Sequence, residues 1–132
     1  MSFIYSLISR NSDVVLCEYT EYAGNFQQIS RMLLRKIKKN SKYSIEYDKY
    51  LFKNKYKYIF KYNRFTFHYT NENEITYICM TENINEKHAF SFLNDIRKKF
   101  IQNHDYGKII TLQAYSLNEF TDVLRQYMVI LI

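Results

Sequence analysis

Three consecutive runs decide the fold: FTFHYT from Phe65 to Thr70, ITYICMT from Ile75 to Thr81, and EKHAFSFLNDIRKKF from Glu86 to Phe100. In the first, Phe65, Phe67 and Tyr69 alternate with Thr66, His68 and Thr70, the period of two that a strand requires. Asn71 to Glu74 is a turn signal, and the second run reads as the next strand. The period then changes. Ala89, Phe92, Leu93, Ile96, Phe100 and Ile101 fall on one helical stripe, with Asn85 placed to cap its start and Glu86 in the first turn, where negative charge is favoured. Arg97, Lys98 and Lys99 suit its later turns. Adjacent strands joined by a short turn and then covered by a helix point to an antiparallel α+β fold rather than an alternating doubly wound one.

Toward the N-terminus, Phe3–Arg10 and Val14–Thr20 are two β-rich runs around Asn11-Ser12-Asp13, the signature of a hairpin. Apolar residues occupy both parities, so both faces should be covered. After Gly24-Asn25, the residues Phe26, Ile29, Met32, Leu33 and Ile37 form an amphipathic helical stripe ending in Arg35, Lys36, Lys38 and Lys39. Tyr43, Ile45 and Tyr47 then alternate with Ser44, Glu46 and Asp48 as a third strand. Between it and Phe65, Lys53, Lys55, Lys57 and Lys61 share one parity, while Tyr56, Tyr58, Phe60 and Tyr62 share the other. This two-faced segment is either an extra strand or a long hairpin arm.

Toward the C-terminus, Ser116 and Glu119 have capping-box spacing, and Phe120, Val123, Leu124, Tyr127 and Met128 continue a third helix. The predicted order is ββαβββαα, five strands covered on both faces by three helices.

Composition agrees. The 132 residues are 47% hydrophobic and 24% charged, the profile of one folded domain rather than a disordered or collagenous chain. With two glycines and no proline, asparagine must make most of the turns. The net charge of +6 suits an anionic partner: an acidic protein, a phospholipid surface or nucleic acid. The longest apolar run, Tyr127 to Ile132, is far short of the ~20 residues that span a bilayer. The opening residues lack the basic and apolar regions of a secretory signal, and the expected setting is the cytoplasm.

Catalytic patterns are sparse. His68, His88 and His104 have none of the zinc-ligand or zincin spacings, and no metal site or cofactor is expected. Gly24 and Gly107 are isolated, so no phosphate-cradling loop is present. Cys17 and Cys79 lie in apolar strand-like runs, the setting of inert core thiols, although a Cys–His pair needs only to meet in space. From Lys49 to Arg64 the chain holds six basic residues, no acid, and Tyr50, Tyr56, Tyr58 and Tyr62. That mixture contacts phosphates and stacks on bases in some proteins, and lies along anionic lipid in others. A solvated lysine face with inward tyrosines is the plainer alternative.

These residues together resemble the longin domain of longin-type vesicle-associated membrane proteins, the R-SNAREs of endosomal and lysosomal fusion. The resemblance rests on the opening hairpin from Phe3 to Arg10, on Gly24-Asn25-Phe26, on Phe67-His68-Tyr69 before Ile75 to Thr81, on Ala89 to Phe100, and on Asn118 to Leu124. It implies a profilin-like α-β-α sandwich, a five-stranded mainly antiparallel sheet between one helix and two, and a single domain over residues 1–132. It also implies a non-enzymatic role in vesicle-mediated transport and membrane fusion. Such domains bind a SNARE motif, in cis or trans, or a trafficking adaptor, through an apolar groove between the first helix and the third strand. By position, that groove would be lined by Phe26, Ile29, Met32 and Leu33 on the helix and by Tyr43, Ile45 and Tyr47 on the strand.

Two departures from the family pattern stand out. Residues 51–64 read as a Lys/Tyr-rich insertion, with Lys53, Lys55, Lys57 and Lys61 as candidate contacts to an anionic surface. The SNARE motif and membrane anchor that follow in the family are not found within this chain, which is therefore expected to be either the regulatory part of a longer protein or a stand-alone module.

Overall fold

The computed structural model describes residues 2–11, 14–39, 49–52, 55–72, 74–104 and 112–130. Its elements are β1 (Ser2–Arg10), β2 (Val14–Thr20), α1 (Phe26–Lys39), β3 (Lys49–Phe52), β4 (Lys55–Tyr62), β5 (Phe65–Glu72), β6 (Ile75–Glu82), α2 (Glu86–Asn103), a 3-10 turn (Asn118–Phe120) and α3 (Thr121–Ile130). The strands form one sheet in the order β2-β1-β6-β5-β4-β3, every neighbouring pair antiparallel. This is the α+β sandwich expected from the patterning. Five strands of seven to nine residues make its body, and a sixth of four residues, β3, is paired to the outer side of β4.

The turns are made as the composition required. Asn11, Asn63 and Asn83 all have positive φ, a conformation asparagine tolerates better than most residues. Asn63-Arg64 is a two-residue connection that turns β4 back so that Tyr62 pairs with Phe65.

The sheet is buried on both sides. On one face, Phe3, Ile8, Cys17, Tyr77 and Cys79 pack under Ala89, Phe92, Leu93, Ile96 and Phe100 of α2 and under Phe120, Leu124 and Met128. On the other, Ile29, Leu33 and Leu34 of α1 cover Ile4, Tyr5, Leu7, Phe67, Tyr69, Ile78 and Met80. A register shift between Phe3 and Tyr5 turns both Ile4 and Tyr5 toward α1, which strict alternation would forbid.

At the helix ends, Asn85 caps α2 as expected, its Oδ1 accepting from the His88 amide at 2.7 Å. The capping box at Ser116 does not form. Tyr115 adopts φ 59°, Ser116 Oγ donates to the Gln113 carbonyl at 2.7 Å, and the chain enters α3 through the 3-10 turn without a side-chain cap. The strand read at Tyr43 to Tyr47 lies outside the described residues. The long strand beside β5 is Lys55–Tyr62, so most of the segment read as an insertion is a sheet strand and its turn.

Candidate partner groove

The helical stripe of α1 divides into residues that hold the fold and residues that edge it. Leu33 is 1% exposed and Ile29 8%, and both pack into the sheet-facing core, so neither serves as an open wall. Phe26 and Met32 are only partly buried and lie at the margin of the same cluster. Across from them on the sheet, Tyr58 of β4 and Phe65 of β5 are partly buried as well. All four pack against the buried cluster that includes Phe60, Phe67 and Tyr69.

Ring contacts hold the border in place. Phe26 meets Phe65 edge-on, with centroids 5.8 Å apart. Tyr58 stacks on Tyr69 at 4.8 Å, and Phe60 lies 6.4 Å from Phe67. Aromatic groups in such offset and edge-on pairs bring large apolar area with little residual freedom.

Of the residues expected at a groove, the structure therefore brings Phe26 and Met32 to the edge and places Ile29 and Leu33 in the interior. Tyr43, Ile45 and Tyr47 lie outside the described residues. Tyr58, Phe60 and Phe65 were missed as parts of this border and its cluster. The signal was available, since Tyr58 and Phe60 share the aromatic parity of the Lys/Tyr segment.

Among the lysines, Lys61 is exposed on β4, Lys55 and Lys57 occupy alternate positions of the same strand, and Lys53 lies outside the described residues. Arg64, in the turn that follows β4, pairs with Glu82 at 3.0 Å.

The sheet places His68 directly opposite Cys79, on β5 and β6. Both are buried, and His68 meets Phe90 of α2 edge-on at 5.2 Å. Burial pushes the Cys79 thiol up and the His68 imidazole down to about 4. Each is thus held neutral, the reverse of the thiolate–imidazolium state that a nucleophilic cysteine uses. His88 is exposed, and His104 lies against Phe100 and Phe120. Among the described residues no three His, Cys, Asp or Glu side chains come together as metal ligands. No helix among them is long and apolar enough to cross a membrane.

Comparison with known proteins bears on what meets this border. The Longin family, described as a regulated-SNARE-like domain, matches residues 53–124. The vesicle-associated membrane protein 7B of Dictyostelium discoideum is 36% identical over 132 residues, which is 97% of this chain and 44% of that protein. The vesicle-associated membrane proteins 712 and 713 of Arabidopsis thaliana are each 33% identical, over 129 and 131 residues, covering 96% and 97% of this chain and 52% of each relative. The chain spans about half the length of the curated relatives it matches.

Proposed function

The chain belongs to the longin family of regulated-SNARE-like domains, and on that premise we propose that it acts as the regulatory domain of an R-SNARE-like protein in vesicle traffic, binding an amphipathic SNARE motif or trafficking adaptor along the border between α1 and β4. In this reading β4 is the third strand of the family pattern. The family match starts at residue 53, just ahead of β4, and only Asn63-Arg64 separates that strand from the Phe-x-Tyr strand. The surplus residues of this chain then precede β4 rather than follow it.

The observation that carries the reading is the half-burial of Phe26, Met32, Tyr58 and Phe65 against one buried apolar cluster. The part of these four groups left uncovered is apolar area at one margin of the α1 face. An amphipathic helix laid on them removes apolar area from water at ~25 cal/mol per Å², of which only the surplus over ordering costs appears as affinity. Binding of this kind regulates by occupancy: a SNARE motif held on the border is withheld from a fusion bundle. The protein would work on the cytosolic face of vesicle or endosomal membranes; the names of its relatives, vesicle-associated membrane proteins, support a vesicle setting.

Titration calorimetry with a peptide carrying the SNARE motif of a longin R-SNARE tests this. Saturable one-to-one binding that Met32→Ser and Tyr58→Ser each weaken at least tenfold is expected. Binding indifferent to both substitutions overturns the assignment of the site.

A second reading, contact with anionic lipid, has the exposed Lys61 in its favour. It predicts binding to phosphatidylserine vesicles that falls steeply with salt and on Lys61→Glu, whereas the apolar border responds little to either.

A further inference from the structure

Next to Met32 on α1, Arg31 reaches back to β2. Its Nη2 lies 2.7 Å from Glu18 Oε2 and its Nη1 donates to Oε1 at 3.3 Å. The Glu18 side chain is only 6% exposed, and it collects two further donors, the hydroxyls of Tyr5 on β1 and of Tyr115 ahead of α3. Arg31 also donates to the Tyr115 hydroxyl, with its guanidinium 5.9 Å from the centre of that ring. One carboxylate thus joins a central strand, an outer strand, the first helix and the connection to the last helix. Burial opposes the Arg31 charge, but the hydrogen bond and charge of Glu18 outweigh it and raise its pKa, so the guanidinium stays charged.

The connection carrying Tyr115 is itself laid against the outer edge of β2. The Tyr115 amide donates to the Val15 carbonyl at 2.7 Å and the Leu117 amide to the Leu16 carbonyl at 3.3 Å. Leu117 is buried in the core beneath α2 and α3. Tyr115 holds φ 59°, an unfavourable backbone state for a bulky residue that persists only where its surroundings enforce it. Its surroundings here are the two main-chain bonds at β2 and the bonds of its hydroxyl to Glu18 and Arg31.

We propose that Glu18 is a coupling hub, through which the seating of α1 controls the docking of the 112–117 strap on β2 and hence the start of α3. The partner-driven half of this inference rests on the border reading above: an occupant that shifts α1 at Met32 also moves the neighbouring Arg31. In this inference the strap is the two-state element, bonded to β2 as seen here or released. Coupling of this kind needs both sites to bias one such element, and Arg31 is the physical link.

Amide hydrogen exchange by NMR decides it without any ligand. In Arg31→Met, the Tyr115 and Leu117 amides should exchange at least tenfold faster, while those of Tyr77 and Cys79 in β6 stay unchanged. Arg35→Met, at an exposed position of the same helix, should change neither. Tyr115→Phe, which keeps the ring and removes the hydroxyl, should accelerate the same two amides and add little to Arg31→Met. Unchanged exchange at Tyr115 and Leu117, or equal acceleration throughout the sheet, overturns the hub. In a second arm, the SNARE-motif peptide is added to the wild-type chain. Peptide binding that leaves both strap amides unaltered overturns the coupling while the border reading stands. Failure of the peptide to bind overturns the border reading, and the Arg31→Met comparison alone then decides the hub.

Discussion

Tyr58 and Tyr69 stack with their ring centres 4.8 Å apart and their planes 12° from parallel, one partly buried at the margin of the α1 face and the other sealed beneath it. The pair marks where the core of this domain becomes its surface. It explains how one aromatic row can hold the sheet and still offer an apolar edge.

That transition also runs along α1, and it separates two kinds of substitution. Leu33→Ala removes a side chain that is 1% exposed and should cost about 2–5 kcal/mol in urea unfolding. Met32→Ala, one residue earlier, should cost under about 1.5 kcal/mol yet weaken binding of the SNARE-motif peptide. Equal stability losses at the two positions would place Met32 in the core and remove it from the border.

His68 makes stability depend on pH with a definite sign. Its imidazole is 2% exposed, and burial pushes its pKa down from 6.5 to about 4, so the folded state keeps it neutral while the unfolded chain takes up a proton. The stabilisation is complete above about pH 6.5 and is lost as pH falls toward 4, on the order of 3 kcal/mol at most. Denaturation of wild type and His68→Leu at pH values from 7.5 to 4.5 reads this directly. Wild type should lose stability more steeply below pH 6.5, and parallel slopes would refute the account.

Cys17 and Cys79 are both free and buried, and burial pushes the Cys17 thiol up to about 12. Neither should react with Ellman's reagent in the native state at pH 8, and both should react once guanidinium unfolds the chain. A fast native equivalent would show that α2 does not seal its face of the sheet.

Much of this was legible in the sequence because it is local. The period of two in Phe65–Thr70, the change of period at Asn85 and the turn at Asn11 each act over a few residues, and each appears where the pattern put it, whereas β5 runs on through Asn71 and Glu72 into the expected turn. Lys55–Tyr62 was harder. Its alternating lysines and aromatics suit a solvated hairpin arm as well as a strand, and only pairing with β5 along Tyr56 to Tyr62 distinguishes them. The Ser116 cap failed for another local reason, since the left-handed backbone at Tyr115 directs Ser116 Oγ to Gln113 instead. The bond between Tyr115 and Glu18 spans 97 positions, and no spacing in a single sequence announces such a contact. The same holds for the border: helical periodicity groups Ile29, Leu33, Phe26 and Met32 together, and only packing tells sealed from half-open.

The most direct test is a residue-by-residue NMR titration of the isotope-labelled chain with the SNARE-motif peptide. The account predicts that the largest shifts fall on Phe26, Met32, Tyr58 and Phe65, and that Met32→Ser together with Tyr58→Ser abolishes them in a chain that still folds. Shifts centred instead on α2 and α3, or binding that survives the double substitution, would contradict it.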